Sequence, residues 1–108
     1  MIDTLLRMLD GPRDGAMLRF SLGQAYMKAG DAHRAAAYFN NAVTMDPNYS
    51  AAWKGYAQAL VATGDRLAAQ AAYRQGIEVA TQRGDLQAAR EMTVFLRRLD
   101  KLISDDES

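Results

Sequence analysis

The chain is predicted to be all-α, built from antiparallel helix pairs stacked side by side. Three observations carry this: an internal repeat, apolar residues at helical spacing, and glycine-aspartate turns between the apolar runs. The repeat is 34 residues long, with one copy at Ala16–Tyr49 and a second at Ser50–Arg83. At that offset Gln24/Gln58, Ala25/Ala59, Gly30/Gly64, Asp31/Asp65, Ala35/Ala69 and Ala37/Ala71 are identical pairs. Gly23/Ala57, Phe39/Tyr73, Ala42/Gly76, Val43/Ile77 and Met45/Val79 keep their size class. A fixed period of this length marks repeat units that bury their apolar faces on one another.

Each element has a local reason. Leu18, Leu22, Ala25, Tyr26 and Ala29 recur every three or four residues, which is the helical period. Ala32, Ala35, Ala36, Phe39, Ala42 and Val43 do the same after Gly30-Asp31. Glycine favours the left-handed position just past a helix end, and aspartate favours the position that opens the next helix. Gly30-Asp31 and Gly64-Asp65 therefore read as tight turns within helix pairs. Asp46-Pro47 stops the helix before it, because proline cannot continue a helix and restricts its predecessor. The second copy has Ala80-Thr81 there, so its second helix should run on to Gly84-Asp85. The expected helices cover 2–9, 14–29, 32–45, 49–63, 66–82 and 86–103. Residues 104–108, Ser-Asp-Asp-Glu-Ser, read as a disordered acidic tail. Residues 1–103 read as one domain.

The ends of the array look atypical. Leu5-Leu6-Arg7-Met8-Leu9-Asp10-Gly11-Pro12 echoes Ala42-Val43-Thr44-Met45-Asp46-Pro47 and reads as the stub of a preceding second helix. Leu86, Ala89, Met92, Phe95, Leu96, Leu99 and Leu102 form an apolar stripe, with Arg90, Arg97, Arg98, Asp100 and Lys101 mostly off it. That pattern suits a helix capping the open end of a stack. Met8, Met45 and Met92 fall on apolar stripes and are expected in the core.

The totals exclude several functions. Thirteen Lys and Arg balance thirteen Asp and Glu, which removes the usual support for nucleic-acid or polybasic membrane binding. Cysteine is absent, so there is no disulfide framework, thiolate zinc site or thiol nucleophile. His33 is the single histidine and reads as a surface residue. Ser21 and Ser50 lack a neighbouring histidine–acid context, and no phosphate-cradling glycine motif occurs. No enzyme activity, cofactor or metal is expected. With no secretory signal and no membrane-length apolar run, the expected location is cytoplasmic.

These residues resemble the tetratricopeptide repeat family. The second copy supplies Trp53, Tyr56, Ala57, Leu60, Gly64, Asp65, Ala69, Tyr73 and Gly76. The first supplies Leu22, Gly23, Tyr26, Gly30, Asp31, Ala35, Phe39, Ala42 and Pro47. Departures are Arg19 where tryptophan is usual, Gly76 where alanine is usual and Thr81 where proline is usual. The resemblance implies an α-α superhelix, a right-handed stack in which Gly23 faces Ala35 and Ala57 faces Ala69. It also implies a concave groove lined by the first helix of each pair. That places Met17, Phe20, Gln24, Met27 and Lys28 in the groove from the first copy, and Ala51, Lys54, Gln58 and Val61 from the second. If the last helix continues the inner row, Gln87, Arg90, Val94 and Arg97 join them. Gly84-Asp85-Leu86-Gln87-Ala88-Ala89 also resembles the start of a second helix, Gly64-Asp65-Arg66-Leu67-Ala68-Ala69, in which case the last helix only caps the core.

The resulting face has Lys28, Lys54, Arg90 and Arg97 and no acidic residue. The expected function is non-catalytic binding of a protein or peptide segment, one of acidic character suiting this face. Some family members grip a chaperone C-terminal carboxylate through a lysine–asparagine set. Glutamine at the amide positions and Phe20 at the first lysine position depart from that set. The alternative is a self-associating or structural subunit of a larger complex, pairing through Val94, Phe95 and Leu99 of the terminal helix. The expected state is a monomer or weak homodimer.

Overall fold

A computed structural model describes residues 1–107. Among them six helices and no strand occur. They are α1 (Ile2–Leu6), α2 (Ala16–Lys28), α3 (Ala32–Met45), α4 (Ser50–Thr63), α5 (Arg66–Gln82) and α6 (Leu86–Glu107). Packing follows chain order. α2 lies on α3, α3 on α4, α4 on α5 and α5 on α6, and α2 also reaches α4 as α4 reaches α6. α6 thus stands where the first helix of a third pair would stand.

The turns are built locally. Gly30, Gly64 and Gly84 adopt φ of 80°, 88° and 75°. The next amide then bonds five residues back: Asp31 N–H to Tyr26 at 2.9 Å, Asp65 to Leu60 at 3.0 Å and Asp85 to Ala80 at 2.8 Å. Each aspartate carboxylate accepts from the amide three residues on, at Arg34, Ala68 and Ala88. One dipeptide thus ends a helix and caps the next. It does so at Gly84-Asp85 even though the 34-residue period is broken there, because the geometry depends only on nearby backbone.

The core is made by close approach. Phe39 is 2 % exposed and wedges between two glycines. A methyl group on Gly23 would lie 2.7 Å from Phe39 Cδ1, and one on Gly55 would lie 2.5 Å from Cε1. Gly23 therefore meets the Phe39 ring. Gly76 is pressed by Met92 Sδ and Trp53 Cβ, at 2.6 and 2.8 Å from where its methyl would be. This explains glycine in place of the usual alanine. A larger cluster of Ala57, Leu60, Ala69, Ala72, Tyr73, Ala80, Ala89, Met92 and Leu99 joins α4, α5 and α6.

Several expectations change. α1 stops at Leu6, and Met8 and Leu9 bond three residues back as the chain tightens toward Asp10, whose φ is 62°. α2 begins at Ala16, because the Asp14 carboxylate is engaged elsewhere: it accepts from Asp10 N–H and from Arg19. α6 continues through 104–107, where a frayed tail was expected, and Asp106 pairs there with Arg66. Ser108 lies outside the described residues. Met92 is buried, but Met45, the last residue of α3, is 50 % exposed.

Candidate functional site

A cleft of about 690 Å³ opens between α1, α2 and α4. α2 supplies Phe20, Ser21, Gln24, Ala25, Met27 and Lys28, and α4 supplies Ala51, Lys54, Gly55 and Gln58. The helical period sets this lining. Phe20, Gln24 and Met27 recur at four and three residues, and so do Ala51, Gly55 and Gln58, each set sharing one face. Leu18 and Leu22 take the opposite face of α2 and are buried. Phe20 is held by aromatic neighbours, with its ring 5.7 Å from Phe39 and 4.9 Å from Tyr49. It forms part of the floor together with Phe39.

The cleft brings together Phe20, Gln24, Met27, Lys28, Ala51, Lys54 and Gln58. It does not include Met17, Val61, Arg90 or Arg97. Met17 and Val61 are exposed on the helices that line it. Gln87 and Val94 are likewise exposed outside it, on α6. Arg90 and Arg97 project from the outer side of α6. Each is two residues from a buried side chain, Met92 or Leu99, and two residues turn roughly 200° around a helix.

The electrostatics also differ from a purely basic face. Lys54 Nζ lies 2.5 Å from Glu91 Oε2 on α6 and about 6.0 Å from the centre of the Phe95 ring. Phe95 itself stacks on Tyr73 and carries Arg98 on its surface, 5.9 Å from the ring centre. The Lys54 hydrogen bond lowers the Glu91 pKa below the usual carboxylate range. Lys28 has no carboxylate partner among the described residues. Among the described residues the cleft thus has one neutralised cation, Lys54, and one without a carboxylate partner, Lys28.

Sequence reasoning missed Met1 and Leu5, which form the wall on the α1 side, and also Ser21, Ala25, Phe39 and Gly55. It also missed Glu91. A signal existed for Glu91, because it follows Gln87 by one turn and precedes Phe95 by one turn, on the flank of the buried Met92. Among the described residues no group of histidine, cysteine and carboxylate side chains is arranged to hold a metal ion. No helix among them is long and apolar enough to cross a membrane.

Known proteins share this architecture. The tetratricopeptide repeat family model matches residues 26–92. A TPR repeat-containing protein of Pseudomonas aeruginosa is 50% identical over 101 residues, covering 94% of this chain and 96% of the relative. A solution structure from Bordetella parapertussis is 38% identical with a TM-score of 0.80, covering 94% of this chain and 88% of that one. The first TPR of Spaghetti (RPAP3), solved with an HSP90 peptide, shares the fold. Its TM-score is 0.83 at 20% identity, covering 95% of this chain and 77% of that one. With helix pairs, Gly-Asp turns and glycine-aromatic packing in place, the chain belongs to the tetratricopeptide repeat family.

Proposed function

We propose that the chain binds a peptide or protein segment in the cleft between α1, α2 and α4, without catalysing a reaction. Its family consists typically of non-catalytic protein–protein interaction modules. The observation that carries the reading is the composition of the cleft. Apolar Leu5, Phe20 and Met27 can hold a side chain, Gln24 and Gln58 can bond a peptide backbone, and Lys28 has no carboxylate partner among the described residues. The ligand is an extended or helical segment with a carboxylate placed to meet Lys28. Lys54 contributes less charge than its position suggests, because Glu91 already holds it. A segment with one acidic group near one end fits better than a polyacidic one. A cytoplasmic location fits a chain without cysteine.

The second reading is self-association or a structural role in a larger assembly. The exposed Val94 favours it. Leu99 does not, since it is 2 % exposed inside the chain's own core. Sedimentation at high concentration separates a monomer from a dimer.

The test of the cleft is a fluorescence titration with a panel of peptides ending in one or more acidic residues. Lys28→Glu should weaken the best binder about tenfold, as expected from losing a charged hydrogen bond. Gln24→Ala should weaken it less. Unchanged affinity in both variants would remove the reading.

A further inference from the structure

The acidic and basic side chains of α6 are used differently. Glu91 reaches Lys54 on α4, Asp100 accepts from Gln70 on α5 at 2.6 Å, and Asp106 pairs with Arg66 at the start of α5. These three carboxylates fasten α6 to the helices beneath it. Arg90, Arg97 and Lys101 are exposed, and among the described residues none has a carboxylate partner.

The cations share one face. Each stands two residues from Met92 or Leu99, both buried, so each projects to the opposite side of the helix. Val94 lies among them and is 44 % exposed, and Leu86, one turn before Arg90, is 53 % exposed. Leu86, Arg90, Val94, Arg97 and Lys101 follow one another at helical spacing, forming a stripe about 22 Å long. Asp105, one turn past Lys101, closes its far end. The stripe is separate from the cleft. Glu91 turns toward α4, and its neighbour Arg90 is rotated about 100° from it.

We propose that this outward stripe of α6 docks an acidic amphipathic helix of a partner protein. The charge pattern selects the partner. A helix with carboxylates one and two turns apart, and an apolar residue between them, can meet the cations and cover Val94 together. Such charges steer encounter and set orientation. A lipid surface fits less well, because a surface-bound helix must insert its apolar face. The apolar face of α6 is already packed through Ala89, Met92 and Leu99. A nucleic-acid duplex fits less well too, because the chain carries no net charge and the stripe is interrupted by apolar side chains.

The probe is a fluorescein-labelled, helix-forming synthetic peptide with glutamates spaced to match the three cations and leucine between them. Anisotropy should show binding that weakens with added salt. Arg90→Glu with Arg97→Glu should weaken it at least about tenfold. Val94→Ser should weaken it less, and Arg74→Glu, an exposed cation on α5, should leave it unchanged. NMR mapping on the unaltered protein should move amides within residues 86–101 and leave the cleft residues in place, which needs no variant to fold. Each of the following would overturn the proposal: no binding, equal binding by a scrambled peptide, or full affinity in Arg90→Glu with Arg97→Glu. So would amide shifts centred elsewhere, or tighter binding to phosphatidylserine vesicles or a DNA duplex than to the peptide.

Discussion

Arg19 grips Asp14 through two nitrogens, Nε at 3.0 Å and Nη2 at 2.8 Å, and its remaining nitrogen reaches Asn41 at 2.9 Å. One repeat later Trp53 occupies the equivalent position, and its indole donates to the Pro47 carbonyl at 2.8 Å. Both side chains fasten the segment that leads into their own helix. Arginine thus replaces tryptophan at this position by exchanging a neutral hydrogen bond for an ion pair.

That pair makes stability depend on pH. The Arg19 hydrogen bond, followed by the Asp10 amide, lowers the Asp14 pKa from 3.8 to about 2. The native state therefore favours the carboxylate. Its contribution is full above the unfolded value, near pH 4, and is lost as pH falls through about 2. Asp14→Asn should lower the melting temperature at neutral pH, and the gap from the unaltered protein should close between about pH 4 and pH 2. Thermal melts followed by circular dichroism across that range check it, and a constant gap would refute it.

Gly55→Ala places a methyl group 2.5 Å from the Phe39 ring. It should destabilise the protein by roughly 1–3 kcal/mol through overpacking. Phe39→Leu in the same chain should relieve part of that cost, so the double variant should be more stable than the sum of the single effects. Urea titration of the four proteins measures the coupling.

Gly64→Ala tests a different physics. Beyond its immediate chain neighbours, no atom of the described residues lies within 4 Å of the added methyl, yet φ is 88°. The cost comes from the left-handed backbone and should be about 1–2 kcal/mol. Phe39→Leu should give it no relief, which distinguishes backbone strain from crowding in the same denaturation experiment.

Glu91→Gln should change stability little, because both partners of the Lys54 pair are about a third exposed and such pairs contribute about 0–1 kcal/mol. Its effect on binding should be larger. With Lys54 released, an acidic peptide in the cleft should bind severalfold tighter. Equal affinity in the two proteins would show that Lys54 takes no part in recognition.

The turns were legible because their causes are local. A glycine that must enter the left-handed region and an aspartate that caps the next helix act within about six residues, so Gly84-Asp85 behaved like Gly30-Asp31 outside the period. Part of the lining of α2 was also legible, since helical spacing sets Phe20, Gln24 and Met27 on one face, but Ser21 and Ala25 line the cleft as well and Met17 does not. Gly55 was hidden, because nothing near it in sequence announces that Phe39, on another helix, fills the space beside it. Asp14 was hidden too, as its carboxylate was free to be a helix start until Arg19 and Asp10 claimed it.

The amino-acid sequence by itself determined the helix pairs, their turns and the family, because periodicity, capping and backbone handedness are short-range properties. Tertiary structure decided which charges face one another. Once Met92 and Leu99 turned inward against α5, the rotation of α6 was set. That rotation carried Glu91 to Lys54 and sent Arg90 and Arg97 outward. A helix's rotation about its own axis is chosen by the apolar side chains that win a place in the core, and every polar side chain on it follows.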